Sequence, residues 1–230
     1  MRYNSLGEKE VYIMNSKQIK QQSLQSLKGN WGIGALFTFI YFLISSVPTV
    51  VVEMVLIPYP EWEETLSYAV INLAIAIILL PFAITFMLAY LTMVRDSKLR
   101  IGELFTGFKY FSFFRAIGIS ILQSIYIFFW TLLLIIPGII KGMAYSQAVY
   151  ILRDHPELSV NQAITESRKM MHGHKWRYFV LNLSFIGWAI LGIFTLGIGY
   201  LWLSSYFLTA HAHFYEDLKT SQAKEKQAIV

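Results

Sequence analysis

Four of the five histidines in this 230-residue chain fall into two H-x-H pairs, His172 with His174 and His211 with His213. Imidazole is the commonest ligand for zinc, copper and nickel and changes charge near neutral pH, so two such pairs brought together would suit a metal ion or a proton sensor. The first pair precedes one apolar stretch and the second ends the next, so a hairpin between them returns both to the same end. Against that chemistry, residues i and i+2 point to different faces of a helix, and no HExxH motif is present. Polar side chains also collect at the ends of apolar spans. Interfacial histidine is the plainer reading, and no cofactor is expected.

A second set is polar groups embedded in apolar sequence. Glu53 and Lys141 each lie inside such a stretch, toward what should be its outer end, and ionisable groups at membrane depth pair or line a cavity. A Glu53 to Lys141 pair is one expectation, and independent snorkelling of each side chain to water is the other. Asn72, Gln123, Gln147 and Asn182 can line a route or simply make interhelical hydrogen bonds. No Walker loop, GxSxG elbow, paired-carboxylate signature or zinc motif is present, so no enzymatic activity is expected.

The elements that must position these residues are set by hydropathy and charge. The chain is 56% hydrophobic and 14% charged, whereas a soluble domain has about a quarter of its residues charged. From Trp31 to Val94 there is no Lys or Arg. The 19 basic residues lie in residues 1–30, 95–115 and 153–177, in the C-terminal tail and at Lys141. Apolar runs separated by alternately basic and non-basic connections mark a multispanning membrane protein with its basic loops on the cytoplasmic side.

Six crossings are expected, at about residues 31–57, 66–94, 113–136, 139–152, 176–194 and 199–213. The third should stop at Pro137-Gly138, and the fourth is short for a full span. Five basic residues in each of 1–30, 95–115 and 153–177, against Lys141 alone on the other face, put both termini in the cytoplasm. The chain then divides into a cytoplasmic amphipathic arm (1–30), a six-helix transmembrane domain (31–216) and a polar cytoplasmic tail (217–230). Residues 1–30 lack an apolar h-region, so no cleaved signal peptide is expected. Without cysteine there is no disulfide or thiol chemistry. The net charge of +5 sits beside spans and is interleaved with acids, which points to anionic lipid headgroups at the cytoplasmic face and not to nucleic acid.

The basic connections resemble one another. Each ends in Gly followed within three residues by an aromatic: Gly29-Asn30-Trp31, Gly107-Phe108-Lys109-Tyr110 and Gly173-His174-Lys175-Trp176. Two open alike, with Arg95-Asp96 and Arg153-Asp154. Ile101, Leu104, Phe105 and Phe108 follow the spacing of one helical face, as do Val160, Ala163, Ile164, Ser167 and Met171. Ser159 with Gln162 has the form of a capping box. The pattern predicts three units, each an interfacial helix followed by a membrane hairpin.

Pro137-Gly138-Ile139-Ile140, Tyr145, Asp154, Pro156, Ala163, Ser167, Met170, Met171, Gly173 and Lys175 together resemble the bacterial integral membrane family called domain of unknown function 975. Leu183-Ser184-Phe185-Ile186-Gly187-Trp188, Gly197-Ile198-Gly199, Leu201-Trp202, Tyr206, Phe214-Tyr215 and Leu27-Lys28-Gly29-Asn30-Trp31-Gly32 extend the likeness to nearly the whole chain. The resemblance implies a multipass plasma-membrane protein and carries over no catalytic or ligand-binding residue.

The fold expected is all-α, a polytopic membrane bundle of about six transmembrane helices with interfacial amphipathic helices. The function expected is that of a non-enzymatic scaffold binding lipid or a membrane protein partner. The rival is a small permease with a polar route through Glu53, Lys141, Asn72, Gln147 and Asn182.

Overall fold

The computed structural model describes residues 13–56, 66–106 and 112–229. Three sequence features fall outside them: the acidic turn 58–64, the Gly107 to Tyr110 marker and residues 1–12 of the N-terminal arm. The described residues form helices and no strand, in the order α1 (Ser16–Leu27), α2 (Trp31–Leu56), α3 (Leu66–Asp96), α4 (Glu103–Thr106), α5 (Phe113–Leu133), α6 (Ile135–Tyr145), α7 (Ala148–Asp154), α8 (Val160–Met170), α9 (Lys175–Leu183), α10 (Ile186–Phe194) and α11 (Tyr200–Ile229). In lipid the backbone must satisfy its own hydrogen bonds, which restricts spanning segments of this length to helices or closed barrels.

Five stretches are long and apolar enough to cross a bilayer: Trp31–Val55, Leu66–Asp96, Phe113–Leu133, Ile135–Asp154 and Lys175–Phe194. This is the build of a membrane protein. The stretch expected to be short is 20 residues, because it begins at Ile135. The break before it falls at Leu134, in extended conformation, and not at Pro137-Gly138. Pro137 is tolerated within the first turn of α6, where backbone N–H groups have no intrahelical acceptor. Gly138 serves a different purpose, since a Cβ there would lie 2.9 Å from Thr131 Cα on α5. The sixth apolar segment is the first half of α11. That helix runs 30 residues without a break, carrying the polar tail as its continuation.

Gly29 and Gly173 adopt left-handed backbone, with φ of +87° and +78°, just ahead of α2 and α9. Their equivalent positions in the sequence markers thus share a conformation that a side chain would strain. The amphipathic segments differ more than their sequences suggest. α8 has its full capping box between Ser159 and Gln162, and it buries Ala163, Ile164 and Ser167. Its counterpart is the single turn α4, where Leu104 is buried while Ile101 and Phe105 are exposed.

The core lies in one half of the bundle. α3 is exposed over much of Leu66 to Ile78 but buried through most of Pro81 to Met93. One buried group joins Leu88, Leu91, Ile119, Tyr150, Leu152 and Ile164, and the other joins Ile19, Leu27, Phe37, Tyr90, Leu181 and Phe214. Both contain residues of α3 and α11, which therefore form the centre. α1 lies outside the spans and packs along α11, where burying Ile19 and Leu27 contributes roughly 1.5–3 kcal/mol each.

Candidate functional site

Polar side chains converge where α3, α7 and the second half of α11 meet. Arg95, in the last turn of α3, faces Asp154 at the end of α7 in a two-pronged pair, with Nη1 donating to Oδ1 and Nη2 to Oδ2, each at 2.7 Å. Its Nε donates to Glu216 at 2.7 Å. Asp154 also accepts from Lys219 Nζ at 2.6 Å and from the Tyr215 hydroxyl at 3.0 Å. Tyr215 and Lys219 are four residues apart on α11, so both present to the same carboxylate. Tyr215 is held by a stack on Tyr150, with centroids 5.0 Å apart. The planar fork of arginine matches a carboxylate in this way, whereas an ammonium can only add a point charge.

The neighbouring Arg153 turns the other way. It is buried, donating to the Leu88 carbonyl at 2.9 Å and the Thr92 hydroxyl at 2.7 Å on α3. The two Arg-Asp dipeptides that looked like repeat markers thus meet at one junction, each tying α7 to α3. Asp154 accepts four hydrogen bonds, from Arg95, Lys219 and Tyr215, which makes it an anchor between α7, α3 and α11.

A second polar join fastens α1 to α9 and α11. Arg177 Nη1 donates to Asp217 Oδ2 at 2.6 Å and to the Met14 carbonyl at 3.0 Å, while Met14 N donates to Asp217 Oδ1 at 3.2 Å. The guanidinium also lies 4.6 Å from the Phe214 ring centroid. Asn30, ahead of α2, donates to the Ser97 carbonyl just past α3. The start of α2, the end of α3, the end of α7, the start of α9 and the polar half of α11 are therefore gathered at one end of the bundle.

The histidines do not form one centre. His213 Nε2 is 2.8 Å from Ser26 Oγ, His211 is buried against the Tyr178 and Phe207 rings, and His172 is exposed. Among the described residues no group of three or more His, Asp or Glu is placed to hold a metal ion. Glu53 is exposed on α2, and no ion pair joins it to Lys141. Lys141 instead sets its Nζ 4.2 Å from the Trp130 ring centroid. That contact belongs to the packing of α6 against α5.

The polar amides are dispersed. Asn72 and Asn182 donate to carbonyls one turn back, Gln123 donates to the Tyr145 carbonyl, and Gln147 sits at the α6–α7 bend with its Oε1 unpartnered. That bend is held by Ser167 of α8, whose hydroxyl donates to the Ala144 carbonyl at 2.8 Å and accepts from Gln147 N at 3.2 Å. Two clefts of about 540 and 580 Å³ flank the first half of α11 and share Tyr41, Phe86, Tyr200 and Ser204. Asn182 enters the second, and the other three amides enter neither.

Sequence reasoning singled out the Arg-Asp repeats but missed their partners Tyr215, Glu216 and Lys219, which lie where the last apolar segment gives way to the polar tail. The spacing of Tyr215 and Lys219 was the available signal. No curated protein and no solved structure matches the chain. Residues 14–141 and 132–222 match the family described as protein of unknown function, DUF975, and the chain belongs to that family.

Proposed function

We propose that this chain is a non-enzymatic multipass protein of the cell membrane, a scaffold whose cytoplasmic end binds anionic lipid and, through the same basic face, a membrane protein partner. In this reading the first half of α11 makes the sixth crossing and both termini lie in the cytoplasm, as the distribution of Lys and Arg requires. The observation that carries it is the gathered polar end. Its inner acids Asp154 and Asp217 are consumed in ties between helices, while Lys17, Lys28, Lys98, Arg100 and Arg168 stay exposed around it. A basic rim beside spans attracts an anionic leaflet at about 1 kcal/mol per residue.

The permease reading draws less support, because of Asn72, Gln123, Gln147 and Asn182 only Asn182 lines either of the two clefts beside α11. The test is to extract the full chain in mild detergent and quantify co-purifying lipid by class. Enrichment of anionic over zwitterionic phospholipid, diminished by high salt, is the expected result. A lipid profile equal to that of the bulk membrane would overturn the proposal.

A further inference from the structure

The two clefts beside the first half of α11, of about 540 and 580 Å³, meet at Tyr41, Phe86, Tyr200 and Ser204, which line both. In the six-crossing arrangement, about 1.5 Å per residue puts these four roughly 12–20 Å from the inner ends of their spans, near the middle of a ~30 Å hydrocarbon core. The walls are built before any ligand arrives. Tyr41 stacks on Phe86 with ring centroids 4.3 Å apart. The Tyr200 hydroxyl donates to the Ala189 carbonyl at 2.8 Å, and its ring lies so close to Gly192 that a Cβ there would come within 3.1 Å of it. At the rim of the first cleft, Phe39 and Phe42 are exposed, so it opens sideways onto the surrounding lipid.

Charge and hydrogen bonding select the occupant. Among the described residues no acidic or basic side chain lines either cleft, and an ionised head group at this depth needs a charged partner, so the occupant is neutral. Among the same residues the Tyr41 and Ser204 hydroxyls have no hydrogen-bond partner, whereas the adjacent Ser205 bonds Tyr90 at 2.8 Å and Thr38 at 3.5 Å. Ser204 does not return its proton to the carbonyl four residues back, as Thr209 does. A hydroxyl facing hydrocarbon is costly unless bonded, so both call for an acceptor. Two donors at the junction of two apolar clefts match ester carbonyls from which two acyl chains diverge.

We propose that the paired clefts bind diacylglycerol, one acyl chain in each, with its ester head held by the Tyr41 and Ser204 hydroxyls. The site lies away from the basic rim and does not depend on anionic-lipid binding there. The test reconstitutes the full chain in phosphatidylcholine vesicles holding a trace of dioleoylglycerol with a photoactivatable diazirine in one acyl chain, and maps cross-linked peptides by mass spectrometry. Cross-links should concentrate at residues 38–45 and 200–208, should be competed by unlabelled dioleoylglycerol and not by phosphatidylglycerol, and should be insensitive to salt. Y41F and S204A should each weaken competition about fivefold, the loss of one hydrogen bond. S120A, which removes a hydroxyl bonded within α5 outside both clefts, should behave as wild type.

Cross-links spread evenly over the spans, or equal competition by phosphatidylglycerol, would overturn the site in favour of ordinary boundary lipid. Competition by oleyl alcohol as strong as by dioleoylglycerol would overturn the two-chain assignment. Y41F and S204A that fold and bind as wild type would overturn recognition through the hydroxyls. Should either variant fail to fold, as judged by its melting profile, the wild-type cross-linking and competition pattern decides alone.

Discussion

Replacing Asp154 with Asn removes the one negative charge on which Arg95, Lys219 and Tyr215 converge. The carboxamide can still accept one arginine N–H, but its own NH₂ group then faces donors where Oδ2 had accepted three hydrogen bonds. Breaking a fully buried pair costs about 3–5 kcal/mol. Here the Asp154 side chain is 8% exposed but Arg95 is 30% and Lys219 47% exposed, so both cations recover hydration, and Arg95 keeps Glu216. Asp154→Asn should therefore cost about 2–3 kcal/mol, or about 30- to 150-fold in the unfolding equilibrium. Arg95→Met should cost less, about 1–2 kcal/mol, because the carboxylate retains Lys219 and Tyr215. The assay is reversible unfolding in mixed micelles of mild detergent and SDS, followed by circular dichroism. The double variant should fall close to Asp154→Asn alone. A single-variant effect below about 0.5 kcal/mol, or strict additivity in the double, would refute the claim that this network clamps α3 to α7 and α11.

Ser167→Ala should destabilise by about 1–3 kcal/mol in the same assay, since it strips two buried partners from the α6–α7 bend, whereas Ser167→Thr should retain part of that bonding. Burial, with the nearby Arg177 charge, holds the His174 imidazole below its ordinary range. The unfolded chain then binds more protons than the folded one, so stability should be full above pH about 6.5 and decline as pH falls through the range between the two values. His174→Gln should shallow that decline, and an unchanged pH profile would count against it. Single cysteines, introduced into a chain that has none, should label from the cytoplasm at position 169 and from outside at position 63. The reverse pattern would invert the topology, although position 63 lies outside the described residues.

The amino-acid sequence alone located the five long apolar stretches to within a few residues, because lipid tolerates little but an unbroken apolar helix and the ends are marked by charge. It also located the Ser159 cap and the glycines at residues 29 and 173, since these depend on neighbours one to three positions away. It identified the family for the same reason, through short motifs whose order along the chain is enough. It erred at Pro137, reading as a stop a residue that the first turn of a helix accepts. What only the tertiary structure decided was which distant groups meet. Arg95 and Glu216 are separated by 121 positions, and Asp154 and Lys219 by 65. Nothing local around residues 215–219 announces that α11 will carry Tyr215, Glu216 and Lys219 back across the ends of α3 and α7. Lys141 shows the same limit: span counting offers Glu53 as its partner, whereas the packing of α6 against α5 sets its ammonium over the Trp130 ring. Periodicity and charge fix where a chain enters and leaves the membrane, while the direction a helix leans within it is set by packing contacts that sequence spacing does not encode.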